Sequence, residues 1–187
     1  MQMWNGLSWW INRELTMQLA SYPHILQSNE HVCNLMRTWQ SHGDSDSMVR
    51  INVQAFFMQG ESWTLARCIR SFCMRHFELE KAELIADAAG WLLDNQYVQS
   101  RFLPGRLWKV MRGSGMGLPC SSSIADIAIH ELAEKHWASC AMTQQLFGIK
   151  LWVRFCDDIF MVSKGRWYPF FTSSFVIGLA QPTSLRW

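Results

Sequence analysis

Two adjacent acids, Asp157 and Asp158, are the residues of this sequence best suited to chemistry. They stand between the apolar stretches LWVRFC and IFMV, and residues 150–163 favour a β-hairpin that turns at the acids. Neighbouring carboxylates in an apolar hairpin repel each other and lose hydration, and a divalent cation such as Mg²⁺ compensates both costs. The pair alone fits a solvated turn equally well. A two-metal site would need a further acid from another strand.

A glycine-rich loop, GSGMGLPCSSS, covers residues 113–123. Its three glycines permit positive φ and a close approach of the backbone to a ligand, and the N-terminus of a following helix favours an anion. A dinucleotide-binding fingerprint is one interpretation. However, the third glycine comes one residue too early, Pro119 and three serines follow it, and no acid ends a second strand about 20 residues later. A plain flexible turn is another interpretation.

Taken together, the loop and the acids resemble two motifs of reverse transcriptases. The segment MGLPCS at 116–121, with Ala125-Asp126 after it, resembles motif B in the form found in Penelope-like and related cellular retroelement enzymes. The segment FCDD at 155–158 resembles motif C, and the order and separation of the two motifs match that family. The resemblance covers roughly residues 20–163.

The resemblance implies a motif A strand upstream, in which an Asp is followed four and five residues later by aromatics. The segment INVQAFFM at 51–58 has the aromatics but carries Asn52 where the Asp belongs. Asp44 and Asp46 lie nearby without that spacing. An amide carries no charge, and loss of one such electrostatic group costs about 10²–10³ in rate. We therefore expect a weak or inactive RNA-directed DNA polymerase.

The same resemblance implies roles for individual residues. Asp157 and Asp158 would hold Mg²⁺ or Mn²⁺, with Asn52 at the place of the missing acid, and the partners would be an RNA or DNA template–primer and deoxynucleoside triphosphates. Phe57 would be the steric gate beneath the sugar, although core packing explains it as well. The residues that would contact the template base or the incoming nucleotide are Gly113, Gly115, Gly117, Pro119 and Ser121. A non-catalytic nucleic-acid-binding remnant and a dinucleotide-binding domain are the alternative functions.

The periodicity of apolar residues predicts the elements that position these groups. We predict strands over 48–58 and 107–111, helices from about 62, over 78–99 and over 121–141, and the hairpin over 150–163. The class is α+β. The resemblance further implies a right-hand polymerase palm with an antiparallel sheet, helices packed on one face, partial fingers and no thumb. Its divisions are 1–47 as partial fingers, 48–163 as the palm and 164–187 as a divergent or truncated tail.

Composition excludes some classes of function. Hydrophobic residues make up 49% and charged residues 17%, which is typical of a globular domain, and the net charge of +2 gives no general argument for nucleic acid. Basic residues near the motifs, Arg50 and Arg154 among them, form either a phosphate-binding groove or scattered surface charge. Six cysteines without a C-x-x-C pair argue against a cysteine zinc site.

Two further expectations concern localisation and a second motif. No signal peptide or bilayer-length apolar segment is visible, so we expect a soluble nuclear or cytoplasmic protein without membrane contact. The segment HELAE at 130–134 is similar to a zinc-protease helix, but the second histidine is missing, which favours a solvated helix face.

Overall fold

The computed structural model describes residues 4–38, 46–115, 117–136, 138 and 140–164, apart from the side chains of residues 36 and 38. Asp44, Met116 and the predicted tail after Lys164 lie outside the described residues. The helices are α1 (Asn5–Leu19), α2 (Asn29–Thr38), α3 (Ser62–His76), α4 (Leu79–Asp94), α5 (Ser121–Leu132) and α6 (Ala141–Leu146), with a 3-10 turn at Glu134–His136. The strands are β1 (Asp46–Asn52), β2 (Tyr97–Gln99), β3 (Leu107–Lys109), β4 (Ile149–Phe155) and β5 (Asp158–Lys164).

The described strands form two small antiparallel sheets, which together with the helices confirm the α+β class. One sheet has three strands in the order β1-β5-β4, and the other pairs β2 with β3. The predicted hairpin is confirmed as β4 and β5, which pair from Ile149↔Ser163 to Phe155↔Asp158. Strand β1 pairs with the other edge of β5, with Asn52 opposite Asp158. The end of β1 and the turn of the hairpin therefore meet at the same edge of the sheet.

The first strand ends earlier than the apolar pattern predicts. Pairing stops at Asn52, and residues 54–58 form a turn in which Ala55 has a φ of +51°. The N–H of Met58 donates to the carbonyl of Ala55 at 2.7 Å, which closes this turn. The aromatic residues suggested a continuing strand, but Phe56 is buried from within the turn. Strand propensity reflects packing and burial, and a turn that buries Phe56 satisfies the same preference, so propensity alone misplaced this boundary.

Two helices are also shorter than predicted. Helix α4 ends at Asp94, because the side-chain amide of Asn95 donates to the carbonyl of Trp91 at 2.8 Å and the chain then enters β2. Helix α5 ends at Leu132 rather than near 141. A 3-10 turn follows it, and Cys140 has an extended backbone conformation that separates this turn from α6. The strand predicted over 107–111 is the three-residue β3.

The chain divides into two compact units. The first contains residues 1–19 and 55–128, and the second contains residues 20–54 and 129–187. Neither unit follows the division at 47 and 163 predicted from the sequence, and that division stays a prediction. Helix α5 runs from the first unit into the second.

In the first unit, α3 packs against α4, and α1 also packs against α4. The apolar stripe of α3, Leu65, Ile69 and Phe72, is buried as its spacing predicts. Trp4 and Trp91 meet edge to face at 4.4 Å between ring centroids, and Lys81 Nζ lies 2.7 Å from Glu14 Oε2. None of the helices in the described ranges is both long enough and apolar enough to cross a bilayer.

Candidate functional site

The second unit brings the two aspartates together with the residue predicted to replace the third acid. Asn52 lies opposite Asp158 at the end of β1, and its side-chain amide donates to Asp157 Oδ2 at 3.0 Å and to Asp158 Oδ1 at 3.3 Å. We call these three residues the acidic turn. The resemblance assigned Asn52 to the place of the expected acid. The register of the sheet places that residue beside Asp157 and Asp158.

Arg50 neutralises one of the two carboxylates. Its Nε donates to Asp158 Oδ1 at 2.9 Å and its second terminal nitrogen donates to Oδ2 at 2.7 Å. This bidentate hydrogen bond, followed by the one from Asn52, lowers the pKa of Asp158 despite the opposing effect of burial. The pair is solvent-screened, since the Arg50 side chain is 64% exposed. We expected a divalent cation to compensate the negative charge of the two aspartates. Arg50 supplies part of that positive charge.

A two-ion magnesium site would use the same carboxylates, and the residues fit it poorly. Mg²⁺ takes oxygen ligands in near-octahedral geometry. Both oxygens of Asp158 already accept from Arg50, and Asn52 directs its NH₂ group, not its oxygen, at Asp157 and Asp158. The acidic turn has two carboxylates, one of which is paired with a guanidinium, where the resemblance implies three.

The backbone of the acidic turn is held from two sides. The N–H of Val53 donates to the carbonyl of Asp157 at 2.7 Å. On the other side, the first terminal nitrogen of Arg154 donates to the carbonyl of Cys156 at 3.0 Å. Cys156 has a φ of +51°, a conformation that non-glycine residues seldom adopt without support. These bonds fix the direction in which the two aspartates project.

The first unit contains the glycine loop and Phe57, and it brings them together. The N–H of Gly113 donates to the carbonyl of Gly60 at 2.8 Å, and the N–H of Ser114 donates to the carbonyl of Phe57 at 2.9 Å. Gly113 has a φ of +81°, and a Cβ there would lie 2.2 Å from the carbonyl oxygen of Phe57. Glycine is therefore required at 113 for the close approach of two backbones. The requirement for glycine at position 113 comes from backbone packing within the first unit.

Ser121, by contrast, directs its hydroxyl into the loop. It donates to the carbonyl of Ser114 at 2.9 Å, and the hydroxyl of Ser114 donates back to the carbonyl of Ser121 at 3.1 Å. Both serines are buried. Gly117 is exposed to solvent, and Pro119 is half-buried. The contacts predicted between these residues and a nucleotide stay predictions.

Gly115 lies against the side-chain amide oxygen of Gln96. A Cβ at Gly115, where φ is +71°, would lie 2.2 Å from Gln96 Oε1. The Nε2 of Gln96 is buried and has no hydrogen-bond partner among the described residues. A buried amide without a partner costs about 1–3 kcal/mol. Gln96 therefore presents its oxygen, and not its unpartnered nitrogen, to Gly115. Phe57 itself is half-buried and packs edge to face on Phe56 at 4.9 Å.

The second unit contains a buried polar cluster that the sequence did not predict. Its members are His24, His130, Glu134 and Arg154, and we call them the histidine cluster. His24 Nε2 lies 3.2 Å from His130 Nδ1 and 3.8 Å from Glu134 Oε2. The ligand atoms of the two histidines and Glu134 lie within 4.8 Å of one another, so these three residues could hold a metal ion. The distances do not identify the metal.

Arg154 completes the charge balance of the histidine cluster. Its Nε donates to Glu134 Oε1 at 2.7 Å and its second terminal nitrogen donates to Oε2 at 3.1 Å, and both side chains are 0% exposed. Arg154 was a candidate for a phosphate-binding groove, and its complete burial makes that assignment wrong. Burial is also the main cause that lowers the pKa of His24, assisted by Arg154 and opposed by Glu134. The His24 imidazole is accordingly neutral at neutral pH.

The expectation of a solvated face for HELAE is wrong, because His130, Glu131 and Glu134 are all buried. One signal in the sequence could have indicated this. His130 and Glu134 are four residues apart, which places both on one side of a helical segment, among apolar residues that must face a core. His24 could not be connected to them, because it is more than one hundred positions away in sequence.

No family model matches the chain, and no curated protein matches it.

Proposed function

We propose that the chain is a reverse-transcriptase-like palm whose nucleotidyl-transfer centre is impaired. The observation that carries this proposal is the contact of Asn52 with both Asp157 and Asp158. Template-directed nucleotidyl transfer by two metal ions needs carboxylates from separate strands that converge on the ions. Here residues from β1 and from the β4–β5 hairpin converge, but one of the three is an amide. The convergence supports the palm, and the amide supports the impairment.

Arg50 supports the impairment independently. A guanidinium bound to both oxygens of Asp158 supplies the positive charge that a metal ion would otherwise supply. The acidic turn is thereby satisfied within the chain. We expect its affinity for Mg²⁺ or Mn²⁺ to be low. An acid at position 52 should raise that affinity, because its carboxylate would be a further ligand for the cation.

The glycine loop supports a ligand-binding role in the first unit. Its backbone lies against Phe57, and Gln96, whose Oε1 lies next to Gly115, has a buried Nε2 without a hydrogen-bond partner among the described residues. Reverse transcriptases use the corresponding loop and gate residue for the template base and the incoming nucleotide, and we propose the same partners here. The loop is tied to the rest of its unit through Gly60 and Phe57, which limits its flexibility.

Two other functions remain to be distinguished. A non-catalytic nucleic-acid-binding remnant of the same fold is favoured by the Arg50–Asp158 pair, which leaves the acidic turn stable without metal. A dinucleotide-binding domain requires a parallel sheet built from βαβ units. The described strands β1, β5 and β4 pair antiparallel, as do β2 and β3, which argues against this third possibility.

Primer extension tests the proposal. The native chain, Asn52→Asp and the double variant Asn52→Asp/Asp157→Asn are compared on an annealed template–primer with deoxynucleoside triphosphates and Mg²⁺ or Mn²⁺. We expect extension by the native chain near background, a gain of about 10²-fold or more for Asn52→Asp, and loss of that gain in the double variant. Asn29→Asp, at an exposed residue that begins α2 in the same unit, adds the same charge outside the acidic turn and should give no gain.

Each outcome separates the candidates. Robust extension by the native chain would show that the centre is not impaired. Failure of Asn52→Asp to extend a template–primer that it binds tightly would favour the non-catalytic remnant. If no variant binds template–primer or nucleotides, the proposed function is wrong.

A further inference from the structure

We propose that His24, His130 and Glu134 bind a transition-metal ion of the Zn²⁺ class. This site is separate from the acidic turn, and it does not depend on the function proposed above. Its donors are two imidazole nitrogens and one carboxylate oxygen, a set that suits Zn²⁺ or Co²⁺ rather than Mg²⁺ or Ca²⁺, which take oxygen ligands. In the second unit, the metal would join the segment around His24 to the end of α5.

The distances between the ligand atoms approach those of tetrahedral coordination. Bond lengths of about 2.0–2.2 Å from Zn²⁺ to nitrogen or oxygen imply that neighbouring ligand atoms lie about 3.3–3.6 Å apart. The observed separations from His24 Nε2 are 3.2 Å to His130 Nδ1 and 3.8 Å to Glu134 Oε2. All three ligand atoms lie within 4.8 Å of one another, so binding would require side-chain shifts of up to about 1 Å to reach tetrahedral separations. Three protein ligands would leave the fourth position to a water molecule.

The chain holds these ligands in place through a second layer of contacts. Glu134 Oε1 accepts from Arg154 Nε at 2.7 Å and from Trp152 Nε1 at 3.4 Å. Its other oxygen, Oε2, faces His24 and also accepts from the second terminal nitrogen of Arg154 at 3.1 Å, a hydrogen bond that a metal ion would have to replace. The ring of Tyr22 packs edge to face against both histidines, with centroids 4.5 Å from His130 and 5.8 Å from His24. Outer contacts hold the ligands of metal sites in a fixed orientation.

Arg154 acts in the opposite direction through its charge. A divalent ion beside a buried guanidinium meets electrostatic repulsion, and the single carboxylate of Glu134 is shared between the two cations. We therefore expect a site of moderate affinity, weaker than one with the same ligands and no arginine. The same repulsion strengthens the case against Mg²⁺, which forms weak bonds to imidazole and could not recover its cost of dehydration.

The test is a Co²⁺ titration of the full chain without a histidine tag. We expect one equivalent of Co²⁺ to produce the intense visible absorption of a tetrahedral complex, Zn²⁺ to displace it, and excess Mg²⁺ to leave it unchanged. His24→Asn should weaken binding at least tenfold. Two matched controls should bind like the native chain: His31→Asn, which alters an exposed histidine on α2, and Asp157→Asn/Asp158→Asn, which alters the acidic turn.

A second measurement uses only the native chain, in case His24→Asn fails to fold. X-ray absorption of the Zn²⁺-loaded protein should show two imidazole ligands at about 2.0–2.1 Å. Absence of tetrahedral Co²⁺, or a zinc spectrum without imidazole, would overturn the proposal. So would Co²⁺ absorption that survives in folded His24→Asn or disappears in Asp157→Asn/Asp158→Asn. Neither primer extension nor its absence bears on this result, so the two proposals fail separately.

Discussion

Replacing Arg154 with methionine would remove a guanidinium that has no contact with solvent. The native side chain makes two hydrogen bonds to Glu134, at 2.7 and 3.1 Å, and one to the carbonyl of Cys156, at 3.0 Å. Methionine has a similar length and can fill much of the same space. The substitution therefore tests the charge and its hydrogen bonds more than the packing.

The expected loss in the free energy of unfolding is about 3–5 kcal/mol. After the substitution, Glu134 keeps a buried carboxylate, with Trp152 Nε1 at 3.4 Å as its remaining donor among the bonds described above. An uncompensated buried charge of this kind accounts for most of the cost of breaking a buried pair. Replacing both partners with apolar residues, as in Arg154→Met/Glu134→Leu, removes that charge. The double variant should be more stable than Arg154→Met alone.

Urea denaturation followed by far-UV circular dichroism, with a chelator present to exclude metal, measures these differences. Arg50→Met is the matched control, because Arg50 makes the same bidentate contact with Asp158 but is 64% exposed. We expect a much smaller loss for this exposed pair. Equal losses for Arg154→Met and Arg50→Met, or a double variant less stable than Arg154→Met, would refute the argument from burial.

Two further predictions concern the first unit. The hydrogen bond from Lys81, followed by that from Arg13, lowers the pKa of Glu14, so its contribution to stability is complete above the unfolded pKa of about 4.5 and is lost as the pH falls through the lower folded pKa. The free energy of unfolding should decrease over that acidic range, and Glu14→Gln should flatten this part of the curve; an unchanged curve would contradict it. Gly113→Ala should destabilise the chain by more than the roughly 1–2 kcal/mol expected for positive φ alone, because its Cβ meets a carbonyl oxygen at 2.2 Å. Gly105→Ala, with a φ of +87° and nothing within 4 Å of the new Cβ, should show only the cost of φ, so similar losses for both variants in thermal denaturation would argue against the clash.

Local patterns in the sequence predicted a large part of this fold. The stripe on α3 and the β4–β5 hairpin were predictable because each depends on residues a few positions apart. The resemblance assigned Asn52 to the place of an expected acid, and the register of β1 and β5 sets this residue opposite Asp158. The end of β1 was misplaced, because Phe56 is apolar in a strand or a turn alike and nothing local distinguishes the two.

The histidine cluster was missed for a different physical reason. Its charges are acceptable in a core only because they are paired with each other, and pairing between distant segments leaves no periodic signal. Arg154 stands between Val153 and Phe155 on β4, so its charge suggested the surface while its apolar neighbours suggested the core. Charged residues are rarely buried without partners, which favours the surface as a first expectation. The carboxylate of Glu134 reverses that expectation, and only the tertiary structure shows it.

The anchoring of the acidic turn has a consequence for its dynamics. The carbonyls of Asp157 and Cys156 accept from Val53 on one side and from the buried Arg154 on the other. A loop opens independently when few buried contacts oppose it. This turn instead accepts hydrogen bonds from Val53, which follows β1, and from Arg154 of the buried Arg154–Glu134 pair. We therefore expect the turn to exchange its protected amide hydrogens together with those of the three-stranded sheet β1-β5-β4. A ligand that reaches Asp157 and Asp158 would meet a rigid template, and binding would require little loss of backbone entropy.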